Sequence, residues 1–166
     1  MKIVKNDLFD YKNRYIWQIQ DGFKFSLDSI LLAEYTKVAN NLNILDMCTG
    51  NAPVPLIIST RTNSNIVGFE IQKYIAELAQ KSVLENKLEE QITIINDDIK
   101  NIGNYYIEES FDIITCNPPY FKENSSLVNK NDYKSLARHE IAINLDSIFS
   151  LGFKYLKNNG ILYMVH

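Results

Sequence analysis

The sequence predicts an α/β fold in which one doubly wound, mostly parallel sheet is covered by helices on both faces, and three observations support this prediction. Short apolar runs alternate along the chain with segments of helical periodicity, the pattern of strands joined by crossover helices. The runs are apolar at consecutive positions, as expected for strands buried on both faces. No repeat, low-complexity stretch or linker divides the chain. With right-handed crossovers, the most economical strand order is 3-2-1-4-5, with the first strand central.

Five apolar runs define the predicted strands. The first, residues 43–47, is followed by a turn at residues 48–52. A polar stretch, residues 122–131, breaks the pattern before the last strand and indicates a loop. The other four strands are predicted at residues 66–70, 91–96, 111–116 and 161–165.

Four helices are predicted around these strands, each from a local signal. Ser26 can cap the first helix, and Pro53 and Pro55 fit only the first turn of the second. Apolar residues recur at helical spacing in the third, and residues 158–160 end the fourth. The helices are predicted to begin near Leu27 and to cover residues 53–58, 72–86 and 145–157. The apolar stripe of the first helix is predicted to contain Ile30, Leu31, Leu32, Tyr35 and Val38.

Composition indicates one folded domain. The chain has 166 residues, 46% of them hydrophobic, and a formal net charge of -3, which argues against a histone-like, charge-driven DNA binder but leaves room for a local basic patch. We interpret residues 1–25 as an N-terminal segment and residues 26–166 as the core of that domain. No apolar run approaches the ~18 residues of a membrane span, and no signal peptide is apparent. Cys48 and Cys116 form neither a disulfide framework nor a zinc set, which predicts a cytoplasmic protein with reduced thiols and no metal.

The carboxyl ends of the strands carry the candidate ligand-binding residues, because ligands of such sheets bind there. Gly50, in the turn after the first strand, allows close backbone approach, although a purely structural turn would look the same. Glu70 ends the second strand, where a carboxylate can accept hydrogen bonds from both hydroxyls of a ribose. Of Asp97 and Asp98 after the third strand, one can accept from an adenine amino group and one can cap a helix. With Asp46, these acids favour S-adenosylmethionine over a ligand with phosphates.

The tetrad Asn117-Pro118-Pro119-Tyr120 at the end of the fourth strand is the most specific signal. Its two prolines restrict the backbone and remove two N–H donors. The carbonyl of Pro118 and the amide oxygen of Asn117 are predicted to face the cleft as paired acceptors, with Tyr120 as a stacking face. Such a pair can hold a planar conjugated amino group and stabilise its pyramidal transition state. No general base is required, because the proton can leave after the transfer.

The turn, the acids and the tetrad resemble class I S-adenosylmethionine-dependent methyltransferases that act on exocyclic or amide nitrogen. More narrowly, the chain is similar to the bacterial tRNA adenine-37 N6-methyltransferases that modify valine tRNA, through residues 22–29, 49–51 and 137–140. The resemblance covers residues 21–166. It implies a Rossmann-like fold, S-adenosylmethionine as cofactor and an adenine of a tRNA anticodon loop as substrate. The family usually has glycine where Ala52 stands, and its domain carries two further strands, so the core is expected to be incomplete at its C-terminal end.

The resemblance also implies the residues of the site. The implied catalytic residues are Asn117, Pro118 and Tyr120. The implied cofactor-binding residues are Phe25, Ser26, Asp28, Asp46, Thr49, Gly50, Asn51, Glu70, Ile71, Asp97, Asp98, Ile99 and Asn117. The implied substrate-binding residues are Pro119, Tyr120, Phe121, Lys122, Arg138 and His139.

Several alternatives remain open from the sequence. His139 could act as a base, or it could brace a loop over the site together with Arg138 and Glu140. The excess of basic residues between Phe121 and His139 could contact tRNA phosphates or form a solvated loop. Because the same tetrad also serves a glutamine amide, a protein-glutamine methyltransferase is an alternative, and a non-catalytic cofactor-binding fragment is another.

The fifth strand, residues 161–165, raises a further expectation. If no strand pairs beyond it, it is an apolar edge without proline or charge, a type of edge that tends to pair with other chains. We therefore expect the chain to self-associate through this strand, or a neighbouring molecule to cover it. Leu162→Lys is then expected to reduce the association.

Overall fold

Two sheets and four α-helices make up the part of the chain that the computed structural model describes, which is residues 2–8, 11, 13–22, 24–118 and 145–165. A 3-10 helix, Ile99–Asn104, follows the fifth strand along the chain. The strands are β1 (Ile3–Asp7), β2 (Tyr15–Ile19), β3 (Asn43–Asp46), β4 (Asn65–Phe69), β5 (Ile92–Ile95), β6 (Phe111–Cys116) and β7 (Leu156–Met164). The α-helices are α1 (Leu27–Tyr35), α2 (Pro53–Ile58), α3 (Lys73–Glu85) and α4 (Leu145–Tyr155).

The larger sheet has five parallel strands in the order β5-β4-β3-β6-β7. This order confirms both the predicted fold class and the predicted arrangement with the first strand of the sheet at its centre. In the register, Asp46 at the end of β3 lies between Gly68 of β4 and Thr115 of β6. The turns that leave these three strands therefore lie side by side at the carboxyl edge of the sheet, where ligands of such folds bind.

Each face of this sheet is covered by a separate set of elements. Helices α1, α2 and α3 pack on one face, with Leu32, Leu56 and Ala79 among their buried residues. Helix α4 and the 3-10 helix cover the other face, through residues such as Ile148 and Ile102. In the described part of the chain, no helix is both long enough and apolar enough to cross a membrane. The site is thus held by a sheet that is buried on both sides.

The apolar stripe predicted for α1 is partly wrong. Leu32 is buried as predicted, but Leu31 is 42% and Tyr35 is 75% exposed, and Val38 lies beyond the end of the helix. The buried face of α1 instead includes Ser29 and Ala33. Apolar residues occur on both sides of this helix, so their spacing alone did not distinguish the side that packs against the sheet.

The boundary between α4 and β7 also differs from the prediction. The helix ends at Tyr155, before the predicted residue 157, and β7 begins at Leu156 because that residue already pairs with Phe111 of β6. The register then shifts before regular pairing resumes at Ile161, and Asn159 has a positive φ of 67°. β7 forms one edge of the described sheet. Self-association through it stays a prediction.

The N-terminal segment contains an antiparallel hairpin, β1–β2, that the sequence did not predict. Two polar side chains of the α3 region bind the backbone of β2. The side chain of Asn86 accepts from the Tyr15 N–H at 2.9 Å and donates to the Tyr15 carbonyl at 2.6 Å, and the Ser82 hydroxyl accepts from the Trp17 N–H at 2.9 Å. The hairpin is therefore fixed against the helix that follows β4.

Candidate active site

The turn between β3 and α2 is held by its backbone and by close packing against β4. The Thr49 N–H donates to the Phe69 carbonyl at 2.9 Å, and Gly50 has a φ of 55°, a conformation that glycine adopts at little cost. A Cβ placed on Gly68 would lie only 2.7 Å from Oγ1 and 2.9 Å from Cβ of Thr49. The missing side chain of Gly68 thus makes room for the turn. Ala52 has a φ of 70°, so the turn adopts a left-handed conformation at a residue that is not glycine.

Glu70 joins this turn to the one that follows β4. Its Oε2 accepts from the Gly50 N–H at 3.0 Å, and its Oε1 accepts from the Gln72 N–H at 2.8 Å. The side chain is buried, and that burial raises the pKa of the carboxyl although the two backbone N–H groups oppose the shift. Each carboxylate oxygen retains a second lone pair. Glu70 can therefore hold the turn and still accept a further hydrogen bond from a ligand.

Asp46 is a fully buried carboxyl at the centre of the carboxyl edge. Its Oδ1 accepts from the Thr115 hydroxyl at 2.8 Å, whereas its Oδ2 has no hydrogen-bond partner among the described residues. Burial raises the pKa of Asp46 from 3.8 to about 6, against the opposing effect of the Thr115 hydrogen bond. A buried acid without a cation is costly in its charged form. The position favours a ligand that brings positive charge or hydrogen-bond donors.

This raised pKa predicts that Asp46 destabilises the ligand-free protein near neutral pH. Because the folded state holds the proton more tightly than the unfolded state, the free energy of unfolding falls as the pH rises from about 4 to about 6. Asp46→Asn removes the charge and should raise the free energy of unfolding by about 2–3 kcal/mol at pH 7.5. The gain should shrink at pH 4.5, where Asp46 is already largely protonated. Urea unfolding of both proteins at the two pH values measures it, and an equal gain at both would contradict the assignment.

The two acids after β5 have different local partners. Asp98 caps the 3-10 helix, since its Oδ1 accepts from the Lys100 N–H at 3.0 Å. Asp97 accepts from the Asn101 side chain at 2.8 Å and from the Tyr105 hydroxyl at 2.9 Å, and these hydrogen bonds, the Asn101 bond first, lower the pKa of its carboxyl. The expectation that one of the pair caps a helix is met by Asp98. Both acids stay candidates for contact with an adenine.

Asn117 follows β6 directly and is tied to helix α1. Its Nδ2 donates to the Ser29 hydroxyl at 2.9 Å, and the side chain is half-buried. Pro118 beside it is buried and has no N–H to donate. Since Asn117 lies two residues beyond Thr115, the register places it next to the turn that follows Asp46. The predicted acceptor residue and the predicted cofactor turn are thus adjacent.

Apart from Asn51, five other implied site residues lie in the described part of the chain and do not share one environment. Ser26 caps α1, where its hydroxyl accepts from the Ser29 N–H at 3.4 Å, and Ile71 is 36% exposed after β4. Ile99 is buried in the core, so it can meet a ligand only through its backbone. Two more, Phe25 and Asp28, are half-buried at the start of α1. Pro119, Tyr120, Phe121, Lys122, Arg138, His139 and Glu140 lie outside the described residues.

Asn51 connects the turn to the N-terminal hairpin. The side chain is 1% exposed, and its Nδ2 donates to the Trp17 carbonyl at 3.1 Å. The sequence marked Asn51 as a cofactor-binding residue but gave no reason to expect this hairpin contact. The cofactor turn is therefore braced from both sides, by Glu70 and by β2.

The polar atoms around the turn fit S-adenosylmethionine. Oδ2 of Asp46 and Oδ1 of Asn51 are buried acceptors, and Oγ1 of Thr49 is a buried hydroxyl that can donate or accept; none of the three atoms has a hydrogen-bond partner among the described residues. Buried polar atoms of this kind normally have a hydrogen-bond partner, which can be a ligand or an ordered water molecule. S-adenosylmethionine carries an ammonium group, a sulfonium and two ribose hydroxyls, which are the charges and donors that such a site lacks. Among the described residues, no cluster of His, Cys, Asp and Glu could hold a metal ion.

Comparisons with known proteins agree with this arrangement. The sequence profile of a family described as RNA methyltransferase matches residues 17–153. The tRNA1(Val) (adenine(37)-N6)-methyltransferase of Bacteroides thetaiotaomicron is 28% identical over 164 residues, which are 98% of this chain and 67% of that protein. The enzyme of the same name from Haemophilus influenzae is 32% identical over 133 residues, 79% of this chain and 56% of that protein. The matched part of the chain thus spans about two thirds or less of the length of these relatives.

Solved structures of low identity show the same fold. TYW2 of P. horikoshii in complex with MeSAdo is 17% identical, with a TM-score of 0.62 over 90% of this chain and 48% of that one. An S-adenosylmethionine-dependent methyltransferase of Thiobacillus denitrificans in complex with S-adenosyl-L-homocysteine is 16% identical, with a TM-score of 0.60 over 84% of this chain and 48% of that one. At these identities the likeness shows a shared fold.

Proposed function

The chain belongs to the RNA methyltransferase family, and from that premise we propose that it transfers a methyl group from S-adenosylmethionine to N6 of an adenine in tRNA. The observation that carries the proposal is the strand register, in which Asn117 follows β6 next to β3, and the turn that leaves β3 is held by Glu70. An amino-group acceptor and a cofactor site at adjacent strand ends are what transfer to an exocyclic nitrogen requires. The substrate is proposed from the relatives, which are named as tRNA1(Val) (adenine(37)-N6)-methyltransferases. On this basis the adenine is position 37 of the anticodon loop.

In this mechanism the cofactor supplies a methyl group on a sulfonium. Asn117 Oδ1 and the Pro118 carbonyl accept the two hydrogens of the adenine amino group and hold its nitrogen towards that methyl group. When bound, the cofactor would give up that methyl group and leave as neutral S-adenosylhomocysteine, and the extra proton on the methylated nitrogen would pass to water. Two acceptors stabilise the positive charge that develops on the nitrogen, so the transition state is bound more tightly than the planar base.

Other residues of the chain are proposed to bind the cofactor. Glu70 is proposed to accept the ribose hydroxyls, and Asp46 to offset the positive charge of the cofactor from beneath the turn. Asp97 and Asp98 are the candidates for the adenine moiety. We also assign Phe25, Ser26 and Asp28 to the cofactor site, on the side formed by the start of α1.

Transfer of a tritiated methyl group to unmodified tRNA tests this function. We expect label in N6-methyladenosine after nuclease digestion, and no label in a valine tRNA transcript whose adenine 37 is replaced by guanine. Label in both transcripts would assign a different base. Label in the glutamine of a release factor instead of tRNA would favour the protein-glutamine alternative. Calorimetric binding of S-adenosylmethionine without transfer to either would favour a non-catalytic cofactor-binding protein.

A further inference from the structure

We propose that Ser29 is a positioning residue that fixes the orientation of the Asn117 side-chain amide. The two residues are 88 positions apart, and Asn117 Nδ2 donates to the Ser29 hydroxyl oxygen at 2.9 Å. Ser29 is 5% exposed and lies in the first turn of α1. The proposal rests on the proposed function, in which Asn117 accepts a hydrogen bond from the substrate amino group.

The orientation of this amide decides whether the site can bind an amino group. One edge of a planar amide carries an acceptor oxygen and the other carries two N–H donors. With Nδ2 held by Ser29, Oδ1 lies on the opposite edge and can accept from the substrate. If the amide were rotated by half a turn, its N–H groups would face the N–H groups of the adenine, and donor would meet donor.

The surroundings of Ser29 favour its hydroxyl as the acceptor in this pair. The hydroxyl oxygen of Ser26 lies 3.5 Å from that of Ser29 and accepts from the Ser29 N–H as the cap of α1. When the Ser29 hydroxyl directs its proton to Ser26, its lone pairs are left for Asn117 Nδ2. The cap of α1 thus offers an acceptor for the Ser29 proton, and in this arrangement Ser29 orients the amide.

A double-mutant cycle separates positioning from a general structural role. A carboxylate has two equivalent acceptor oxygens and needs no orientation, so Asn117→Asp should make Ser29 dispensable. We expect Ser29→Ala to lower kcat about 10- to 100-fold when residue 117 is Asn, with KM for tRNA and the cofactor Kd within about two-fold of wild type. In the Asn117→Asp background the same substitution should change kcat less than about three-fold. An equal effect in both backgrounds, or no effect in the first, would overturn the proposal.

Ser59→Ala provides the matched control. Ser59 is 7% exposed, and its hydroxyl donates to the Leu56 carbonyl at 2.7 Å, so this variant also loses one buried hydroxyl hydrogen bond, at the C-terminal end of α2. It should lower the thermal midpoint about as much as Ser29→Ala while leaving kcat unchanged. A loss of kcat equal to that of Ser29→Ala would show that any lost hydroxyl has this effect, and would count against positioning.

A readout without activity keeps the proposal distinct from the proposed function. The side-chain amide signals of Asn117 can be assigned in 15N-labelled protein, because they disappear in Asn117→Asp. Ser29→Ala should shift these signals, whereas Ser59→Ala should not. If wild-type protein fails to methylate tRNA, the proposed function is wrong, and the amide signals still decide on Ser29. Unshifted signals in Ser29→Ala would show that the Ser29 hydroxyl does not hold the Asn117 amide in the wild-type protein.

Discussion

Asn117→Ala is expected to slow methyl transfer about 100-fold or more, the largest effect of any single substitution in this site. The variant loses the amide oxygen that receives a hydrogen of the adenine amino group, so the charge that develops on the nitrogen is no longer stabilised. Cofactor affinity should change little, because Asn117 faces the acceptor base. Single-turnover transfer to tRNA and calorimetric titration with S-adenosylmethionine measure the two quantities separately.

Asn117→Asp is the comparison that identifies the chemistry. It keeps an acceptor oxygen at the same place, replaces the NH2 group by a second oxygen and adds a negative charge, so it should retain much more activity than Asn117→Ala. If both variants lose activity equally, the acceptor function is not what residue 117 contributes. Normal transfer by Asn117→Ala would remove the proposed acceptor pair from the mechanism.

Glu70→Ala is expected to weaken binding of S-adenosylmethionine about 10- to 150-fold, a loss of about 1.5–3 kcal/mol. The side chain that is expected to accept the ribose hydroxyls also holds the Gly50 N–H at 3.0 Å and the Gln72 N–H at 2.8 Å. Removing it leaves ribose hydroxyls and two backbone N–H groups without their acceptor. Calorimetric titration of the variant gives the change in Kd.

Glu70→Gln tests the two roles of this carboxylate separately. The amide keeps one acceptor oxygen and places an NH2 group against one of the two backbone N–H groups, so the turn should loosen while the size of the side chain is preserved. We expect its Kd to lie between those of wild type and Glu70→Ala. A circular dichroism melt confirms that each variant is folded at the titration temperature. An unchanged Kd in a folded Glu70→Ala would show that the ribose binds elsewhere.

Much of the fold was predictable because it depends on signals that are local in the sequence. Each of the five strands of the larger sheet contains a run of apolar residues, and the handedness of crossovers leaves few orders for them. The side chains that pack α1 were harder to predict, since Leu31 and Tyr35 are apolar but exposed. The hairpin was missed because its loop lacks a recognisable tight-turn pair and because its strands are fixed by Ser82 and Asn86, far away in the chain.

The candidate site also contains some residues that the sequence could predict and others that it could not. Gly50, Glu70 and Asn117 stand at strand ends, and their positions follow from the strand order. Ser29 lies in the segment 22–29 that carries the resemblance, but its role has no sequence signal, because a serine in the first turn of a helix is common and its contact with Asn117 spans 88 positions. The same is true of the hydrogen bond from Asn51 to the Trp17 carbonyl. Contacts of this kind depend on how helices and hairpin dock on the sheet, which the pattern of apolar residues does not specify.

The close approach of Gly68 and Thr49 has a consequence for how this protein can change during evolution. A Cβ at position 68 would lie 2.9 Å from the Cβ of Thr49, so serine or alanine at position 49 would not relieve the crowding. Only loss of the side chain at one position frees space for a side chain at the other. We therefore expect these two positions to covary in descent: a lineage that acquires a side chain at 68 should already carry glycine at 49, because a side chain at 68 beside Thr49 would displace the turn after β3.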